Sequence, residues 1–191
     1  MDLILASTSP YRRALLERLQ LSFRCEAPNT DETPRENEAP DALARRLALA
    51  KALSVATCNP RALVIGSDQV ASIDGSCIGK PGSHAAAAAQ LRASSGRQVD
   101  FYTGLAVIDI DSGFEQSLVA TFSVQFRDLT DREIDNYLRL DQPYDCAGSF
   151  KYESLGIALF ERMIGDDPTA LEGLPLIDTC RLLRRAGIPL P

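Results

Sequence analysis

Hydrophobic residues fall into short blocks whose spacing alternates between that of buried strands and that of helices. Residues 3–6 form an unbroken apolar run, which is typical of a short buried strand. A helix is predicted directly after it, because Ser9 is a favoured N-cap residue and Pro10 suits the first helical position. A second apolar run, residues 63–66, leads into Asp68, so we expect that strand to end there and present polar groups to a site.

The rest of the pattern predicts a mixed sheet flanked by helices, in one domain over residues 1–191. Asp74-Gly75 is typical of a hairpin turn, and Thr130 followed by Glu133 forms a capping box at a helix start. A long polar loop is expected at 27–40. The other predicted elements are strands at 22–26, 70–73, 76–78, 98–110, 114–127 and 157–163, and helices at 41–56, 84–93, 130–140 and 174–185. The fold class is therefore α/β.

Charge narrows the classes of ligand that the chain can bind. With 26 acidic and 20 basic residues, the net charge of −6 argues against general binding to nucleic acid or to an acidic membrane surface. A polyanion would have to bind in a local pocket. Only three of the basic residues are lysines, and these are Lys51, Lys80 and Lys151.

Cysteine and apolar patterns indicate a cytoplasmic protein. The five cysteines are widely spaced, include no C-x-x-C pair and are accompanied by a single histidine, which argues against a disulfide framework or a zinc cluster. No signal peptide and no apolar run of membrane-spanning length is found.

The usual catalytic motifs are absent. The run from Gly75 to Lys80 is one residue short of a phosphate-binding P-loop, and Pro81 stands where a Ser or Thr would bind Mg²⁺. His84, the only histidine, is expected to be a solvated residue at a helix end. Chemistry must therefore come from carboxylates, lysines and arginines, with a metal ion as a further candidate.

The first strand-to-helix junction is the best candidate anion site. Ser7, Ser9, Arg12 and Arg13 surround a helix N-terminus, whose free N–H groups and dipole favour a phosphate. The alternative is a plain N-cap beside two surface arginines.

Acidic and lysine side chains supply further candidates, each with a simpler alternative. Asp31, Glu32 and Asp68 could hold a hard divalent cation through oxygen, although each alone is more often a solvated acid. Lys51 could extend its ammonium from an apolar helix to water, and Lys80 could be an ordinary loop charge.

Ordered motifs along nearly the whole chain resemble those of the Maf family of nucleoside triphosphate pyrophosphatases. They are Leu5-Ala-Ser-Thr-Ser-Pro-Tyr-Arg-Arg13, Asp31-Glu32, Arg46-Leu-Ala48 with Lys51-Ala52, Gly66-Ser-Asp-Gln69, Gly79-Lys-Pro81, Leu91-Arg-Ala-Ser-Ser-Gly96, Tyr102-Thr-Gly104, Ala147-Gly-Ser-Phe150 and Gly173-Leu-Pro-Leu176. The resemblance implies an inosine triphosphatase-like α/β fold, with an elongated mixed sheet and a cleft between two lobes.

The resemblance also implies a reaction and a set of site residues. The family hydrolyses a nucleoside triphosphate to the monophosphate and pyrophosphate, with Mg²⁺, Mn²⁺ or Co²⁺ as cofactor. Its phosphate-contacting pattern falls on Ser7, Arg12, Lys51 and Lys80. Its metal-associated pattern falls on Glu32 and Asp68. Asp68 is either the proton acceptor or a metal ligand, and the sequence leaves both roles open.

Three positions are expected to carry base specificity, namely Tyr11, Gln69 and Glu153. Family members that act on dTTP and UTP have Arg, Thr and Gln there, whereas the residues of this chain resemble the 7-methyl-GTP subgroup. N7-methylation gives guanine a positive charge that an aromatic ring attracts, and a carboxylate can accept from the guanine N–H groups.

Two other functions remain alternatives to a 7-methyl-GTP pyrophosphatase. One is a pyrophosphatase for dTTP, UTP or modified pyrimidine nucleotides. The other is a nucleotide-binding regulator of septum formation, in which the pocket would sense rather than hydrolyse. The expected partner is a small nucleotide, with no nucleic acid or membrane, and the chain could also form a homodimer.

Overall fold

A computed structural model describes residues 2–191 as a mixed α/β fold. Its strands are β1 (Asp2–Leu5), β2 (Arg24–Cys25), β3 (Ala62–Ile73), β4 (Ser76–Ile78), β5 (Gln98–Asp109), β6 (Phe114–Phe126) and β7 (Phe160–Ile164). Its helices are α1 (Pro10–Glu17), α2 (Pro40–Cys58), α3 (His84–Ser94), α4 (Asp131–Asp141) and α5 (Leu176–Arg185). Short 3-10 turns lie at Ala147–Ser149, Leu155–Leu159 and Pro168–Glu172. The predicted α/β class is confirmed.

The seven strands form one sheet in the order β2-β1-β3-β5-β6-β7, with β4 paired to β3. β1 runs parallel to both β2 and β3, whereas β3 with β4 and β6 with β7 are antiparallel. The β3–β4 hairpin turns at Asp74 and Gly75, whose φ angles are 48° and 80°. Positive φ at both central residues suits the right-handed twist of the paired strands, as the Asp-Gly pair predicts.

Two compact units divide the chain. The first holds residues 2–69, 102–120 and 167–191, and the second holds 70–101 and 121–166. β3, β5 and β6 therefore each contribute residues to both units.

The core of the first unit lies on both faces of β1 and β3. Leu3, Leu5, Leu63 and Ile65 pack with residues of α1 and α5. Alternate residues on the same strands, including Val64, pack with the alanine-rich face of α2. Burial on both faces explains why these strands are read in the sequence as unbroken apolar runs.

Helix α2 lies directly against the backbone of the sheet. A Cβ atom added at Gly66 would lie 2.3 Å from the Ala48 carbonyl oxygen, and one added at Gly104 would lie 2.1 Å from that of Ala44. With Ala52 also close to Gly66, there is no room for a side chain at these two glycine positions. The helix and the residues that follow Gly66 in β3 are thus held at a fixed short separation.

The second unit has an aromatic core. The rings of Phe101, Phe126, Phe150 and Phe160 contact one another edge to face, with centroids 4.8–5.7 Å apart. The predicted capping box of α4 is confirmed, because Thr130 and Glu133 each bond the other's backbone N–H group.

Strand β3 is longer than predicted. The apolar pattern predicts one strand at 63–66 and a separate one at 70–73, but the backbone continues without a break through Asp68. The expectation that Asp68 ends a strand is therefore wrong. Polar side chains interrupt the apolar run without interrupting the strand, because Ser67, Asp68 and Gln69 each have hydrogen-bond partners inside the fold.

We expect Gly66→Ala to lower the free energy of unfolding by about 3 kcal/mol, since overpacking a core typically costs about 1–3 kcal/mol and backbone atoms cannot easily move aside. Urea unfolding followed by circular dichroism measures this effect. Gly79→Ala is the matched control, because a Cβ there has no atom within 4 Å. Equal unfolding midpoints for the two variants would contradict the close helix–sheet packing.

Candidate active site

Lys51 is a buried cation between two carboxylates. It is 6% exposed on the sheet-facing side of α2, so it does not extend to water as a surface lysine would. Its Nζ atom lies 2.5 Å from Asp68 Oδ1 and 2.6 Å from Glu32 Oε1. A carboxylate from strand β3 and one from a loop therefore both contact the ammonium nitrogen of a lysine on helix α2.

The strand register explains why Asp68 faces this lysine. Successive side chains of a strand point to opposite faces, so Asp68 lies on the same face of β3 as Gly66, against α2. The close approach of α2 at Gly66 places Lys51, which precedes Ala52, beside the carboxylate two residues further along β3. Local packing thus determines the ion-pair geometry.

Glu32 reaches Lys51 from the polar segment 26–39, which contains no helix or strand. Its side chain is 62% exposed, whereas that of Asp68 is 11% exposed. Of the two carboxylates at Lys51, that of Asp68 is therefore buried and that of Glu32 faces water. Asp31, the neighbouring candidate, is exposed and accepts a hydrogen bond from the Thr33 N–H group at 2.9 Å. Hydrogen bonds with the Thr33 side chain and then with its backbone lower the pKa of Asp31.

The carboxylates of Glu32 and Asp68 fit a hard divalent cation as a partial ligand set. Magnesium is typically held by one or two carboxylates, with water and substrate phosphates as the other ligands. Within residues 2–191, no three His, Cys, Asp or Glu side chains are grouped as a metal-binding set. The protein would thus contribute only part of a coordination shell.

The predicted helix start at the first junction is confirmed. The Ser9 side chain accepts a hydrogen bond from the Arg12 N–H group, and Pro10 is the first residue of α1. Ser7 is buried, and its hydroxyl accepts from the Ser9 N–H group at 3.1 Å. The first turn of α1 contains no acidic residue. The partial positive charge of the helix N-terminus is therefore not offset by a carboxylate and favours an anion.

Arg12 and Arg13 differ in their surroundings. Arg12 is half-buried, and its Nε donates to the Gly173 carbonyl at 2.9 Å. Burial lowers the pKa of the Arg12 guanidinium, and the charges of Asp68 and Glu32 oppose that shift. Arg13 lies on the exposed surface and pairs with Glu17 one turn along the helix.

The carbonyl oxygen of Gly173 accepts hydrogen bonds from helix α1, through Arg12, and from strand β3, through Ser67. The Ser67 hydroxyl lies 2.9 Å from this oxygen and 2.8 Å from that of Gly104. With a φ angle of 103°, Gly173 has a left-handed conformation that L-residues rarely adopt. A Cβ there would lie 3.3 Å from Arg12 Nε, so glycine also leaves space for the arginine.

Gln69 lies on the opposite face of β3 from Asp68. Its amide Nε2 donates to the carbonyls of Ala170 at 2.7 Å and Leu171 at 3.1 Å, and lies 3.2 Å from Thr103 Oγ1. This predicted specificity residue braces the turn Pro168–Glu172. Tyr11, the aromatic candidate, is half-buried in the first turn of α1.

Lys80 and Glu153 belong to the second unit, and both are exposed. Lys80 follows Gly79, whose carbonyl accepts from Gln90 Nε2 at 3.0 Å. The Oε1 atom of the same glutamine lies 2.5 Å from the Ser149 hydroxyl. Gln90 therefore links the Gly-Lys-Pro motif to the segment that leads to Glu153.

Lys151 and His84 have structural partners in the second unit. The Lys151 N–H group donates to the Tyr137 hydroxyl at 3.0 Å, and its ammonium lies 3.4 Å from the Asp141 carbonyl. The ring nitrogens of His84 lie 3.0 Å from the Tyr144 hydroxyl and 3.1 Å from Asp135. The sequence predicts a solvated histidine at a helix end, and His84 is the first residue of α3 with a side chain that is 43% exposed beside these two partners.

Sequence reasoning missed the residues that support the site rather than form it. The partners Ser67, Thr103 and Gln90 act through contacts with residues 11–106 positions away along the chain. Ser67 and Thr103 lie within the Maf-like motifs, and the position of Ser67 directly before Asp68 is a further local signal, but the sequence does not single out either residue for the site. Across residues 2–191, no helix combines the length and apolar character needed to cross a bilayer.

Two solved structures share the fold at low sequence identity. The structure of a HAM1 protein from Coxiella burnetii aligns over 94% of this chain and 98% of its own, with a TM-score of 0.53 and 16% identity. The structure of the Staphylococcus aureus Ham1 protein aligns over 67% of this chain and 73% of its own, with a TM-score of 0.50 and 15% identity.

Three sequence relatives named 7-methyl-GTP pyrophosphatase match nearly the whole chain. The protein from Polaromonas sp. is 60% identical, over 98% of this chain and 86% of the relative. Those from Albidiferax ferrireducens and Nitrosococcus oceani are 55% and 54% identical, over 97% and 98% of this chain and 94% of each relative. The model of the family described as Maf-like protein matches residues 2–186. On this match and these identities, the chain belongs to the Maf family.

Proposed function

We propose that this chain hydrolyses 7-methyl-GTP to 7-methyl-GMP and pyrophosphate, which keeps the modified nucleotide out of nucleic acids. The observation that carries the proposal is the 54–60% identity, over 97–98% of the chain, to relatives of that name. Two features of the site support it. Lys51 lies between the carboxylates of Glu32 and Asp68, and the N-terminus of α1 beside Arg12 has no acidic residue in its first turn, which suits the phosphates of a triphosphate.

The first unit contributes phosphate binding. Ser7, Ser9 and the N-terminus of α1 bind phosphate oxygens, and Arg12 supplies positive charge from a half-buried position. Arg13, paired with Glu17 on the surface, has the weaker structural support. Lys80 is proposed to neutralise charge on the departing pyrophosphate.

Asp68 is proposed to accept the proton of the attacking water. Water forms a bond to the α-phosphorus, the bond from that phosphorus to the bridging oxygen breaks, and pyrophosphate leaves with the electron pair. Lys51, 2.5 Å from Asp68, fixes the carboxylate in position. Glu32 and Asp68 would hold the divalent cation, which supplies charge neutralisation at the phosphates and a more acidic water when bound.

Base selection is assigned to Tyr11 and Glu153. The positive charge of 7-methylguanine gains about 0.5–2 kcal/mol from a cation–π contact that unmethylated GTP lacks. The Glu153 carboxylate is proposed to accept from the two N–H donors of the guanine edge. Gln69 would act through the turn that it braces, since its Nε2 is already bonded to Ala170 and Leu171.

The chain is proposed to work in the cytoplasm on free nucleotides. None of the five cysteines, which all lie within the described residues 2–191, forms a disulfide, and this suits a reducing compartment. The net charge of −6 disfavours binding to nucleic acid. A homodimer remains a prediction.

We expect Asp68→Asn to slow pyrophosphate release from 7-methyl-GTP by about 10²–10⁴-fold, because the amide cannot accept the proton of water. A coupled phosphate assay measures the rate, and circular dichroism checks folding. Asp111→Asn, in an exposed turn, is the control and should match the unsubstituted protein. Full activity of Asp68→Asn would refute the assigned role.

We expect Glu153→Gln to lower the kcat/KM for 7-methyl-GTP relative to that for UTP, because an amide both donates and accepts where the guanine edge offers only donors. The ratio should fall about tenfold if one charge-assisted hydrogen bond is weakened. An unchanged ratio would remove Glu153 from base selection. A ratio that favours UTP in the unsubstituted protein would support the pyrimidine alternative.

We expect removal of divalent cations with EDTA to abolish pyrophosphate release, since Glu32 and Asp68 supply only part of a metal shell. Activity should return on addition of Mg²⁺, Mn²⁺ or Co²⁺. Glu32→Gln should raise the metal concentration needed for half-maximal activity. Undiminished activity in EDTA would exclude the metal-dependent mechanism.

A further inference from the structure

The segment 26–39 carries Glu32 to Lys51 without any helix or strand of its own. Most of its residues are exposed, and the Glu32 side chain is itself 62% exposed. A loop of this kind samples many conformations unless specific bonds hold it. The contact between Glu32 and Lys51 does not by itself hold the rest of the loop. Contacts elsewhere along residues 26–39 therefore decide how well the position of Glu32 is fixed.

Arg46 of α2 provides such an anchor at the far end of the loop. Its Nε and Nη2 atoms donate to the two carboxylate oxygens of Glu38, at 2.6 and 2.8 Å. Nη2 also donates to the Thr33 carbonyl at 3.1 Å, one residue beyond Glu32. One guanidinium group therefore bonds the loop at two points on the C-terminal side of the proposed metal ligand.

The Arg46–Glu38 pair has the features of a strong surface ion pair. It is a two-bond arginine–carboxylate contact, and the Glu38 side chain is only 9% exposed. Glu38 Oε2 also accepts from the Arg35 N–H group at 3.0 Å. These contacts, with the bond to Arg46 as the largest cause, lower the pKa of Glu38 to about 2. The pair is therefore fully charged at neutral pH and weakens only as the pH falls toward 2.

Both cations that hold the loop come from the same helix. Arg46 and Lys51 are five residues apart, which is about 7.5 Å along the axis of α2. Because α2 is itself fixed against Gly66 and Gly104, the loop is bonded to a rigid support. Two charged contacts with one helix therefore help to set the position of Glu32.

We propose that Arg46 is a positioning residue for the reaction, which holds the loop 26–39 so that the Glu32 carboxylate lies at Lys51 and Asp68. The proposal rests on the proposed function, because it gives Glu32 a role in the reaction. In this role Arg46 acts through Glu32, since its own hydrogen bonds are with Glu38 and Thr33.

A double-mutant cycle with Glu32 tests this role. We expect Arg46→Gln to lower kcat/KM for 7-methyl-GTP about tenfold and to raise the metal concentration for half-maximal activity. In the Glu32→Gln background the same change should have little further effect, because the residue that Arg46 positions is already lost. Reversal of the pair, with Arg46→Glu and Glu38→Arg together, should restore part of the activity.

Amide hydrogen exchange gives a readout that does not depend on activity. Arg46→Gln should increase exchange in residues 30–38 while the core strands β1 and β3 stay protected. Arg45→Gln is the matched control, because Arg45 is the neighbouring residue of α2 and bonds Ser117 instead of the loop. It removes the same charge and should leave both exchange in the loop and activity unchanged.

Distinct results would overturn the inference and the proposed function. Equal loss of activity from Arg46→Gln in both backgrounds, or unchanged exchange in residues 30–38, would refute the positioning role. Equal effects of the Arg45 and Arg46 changes would refute it as well. Failure of the unsubstituted protein to release pyrophosphate from any nucleotide would instead refute the proposed function, while the exchange experiment would still test the anchor.

Discussion

The close contact between helix α2 and the sheet is the constraint on which the candidate site of the first unit depends. Glycines in β3 and β5 meet alanines of the helix, so backbone lies against backbone at Gly66 and Gly104. Lys51 interrupts this stripe of small residues with one long side chain, and the packing directs it to Asp68. Burying a charge is costly unless it is paired, and here two carboxylates pair it. The geometry of the ion pair is therefore a consequence of packing.

The two faces of β3 divide the polar residues of the first unit into different tasks. Asp68 faces α2 and its lysine, whereas Ser67 and Gln69 face the turn Pro168–Glu172 and the carbonyl of Gly173. The Gly173 carbonyl also accepts from Arg12. Three adjacent residues of one strand thus have different partners. Asp68 contacts helix α2 on one face, and Ser67 and Gln69 contact the turn and the Gly173 carbonyl on the other, where Arg12 of the proposed anion-binding junction is also bonded.

Elements with local signals were predictable from the sequence, and contacts over long distances were not. Ser9-Pro10, Asp74-Gly75 and the Thr130–Glu133 box each encode a backbone geometry within four residues, and the structure has all three. The extension of β3 through Asp68 was missed because a polar residue in a strand is buried only when a distant partner satisfies it. Lys51 lies 17 residues away in sequence, and periodicity cannot reveal such a partner.

The same limit applies to the site. The family resemblance identified Lys51, Asp68 and Glu32 as site residues, and the structure brings these three together. Their functional roles stay predictions. Arg46 was visible only as part of a motif, because its bonds to Thr33 and Glu38 form across a loop without regular structure. Gln90 had no sequence signal at all, since its partners come from two separate motifs.

The scarcity of lysine has a consequence for covalent chemistry on this protein. Lys51 is 6% exposed and its nitrogen is enclosed by two carboxylates, so an amine-directed reagent cannot approach it in the folded state. Lys151 is half-buried and directed at a backbone carbonyl. Lys80 is the exposed one of the three lysines. Acylating reagents would therefore modify the folded protein at the side chain of Lys80 before the other two, and attachment of a label or a surface there would occupy a proposed phosphate-binding position.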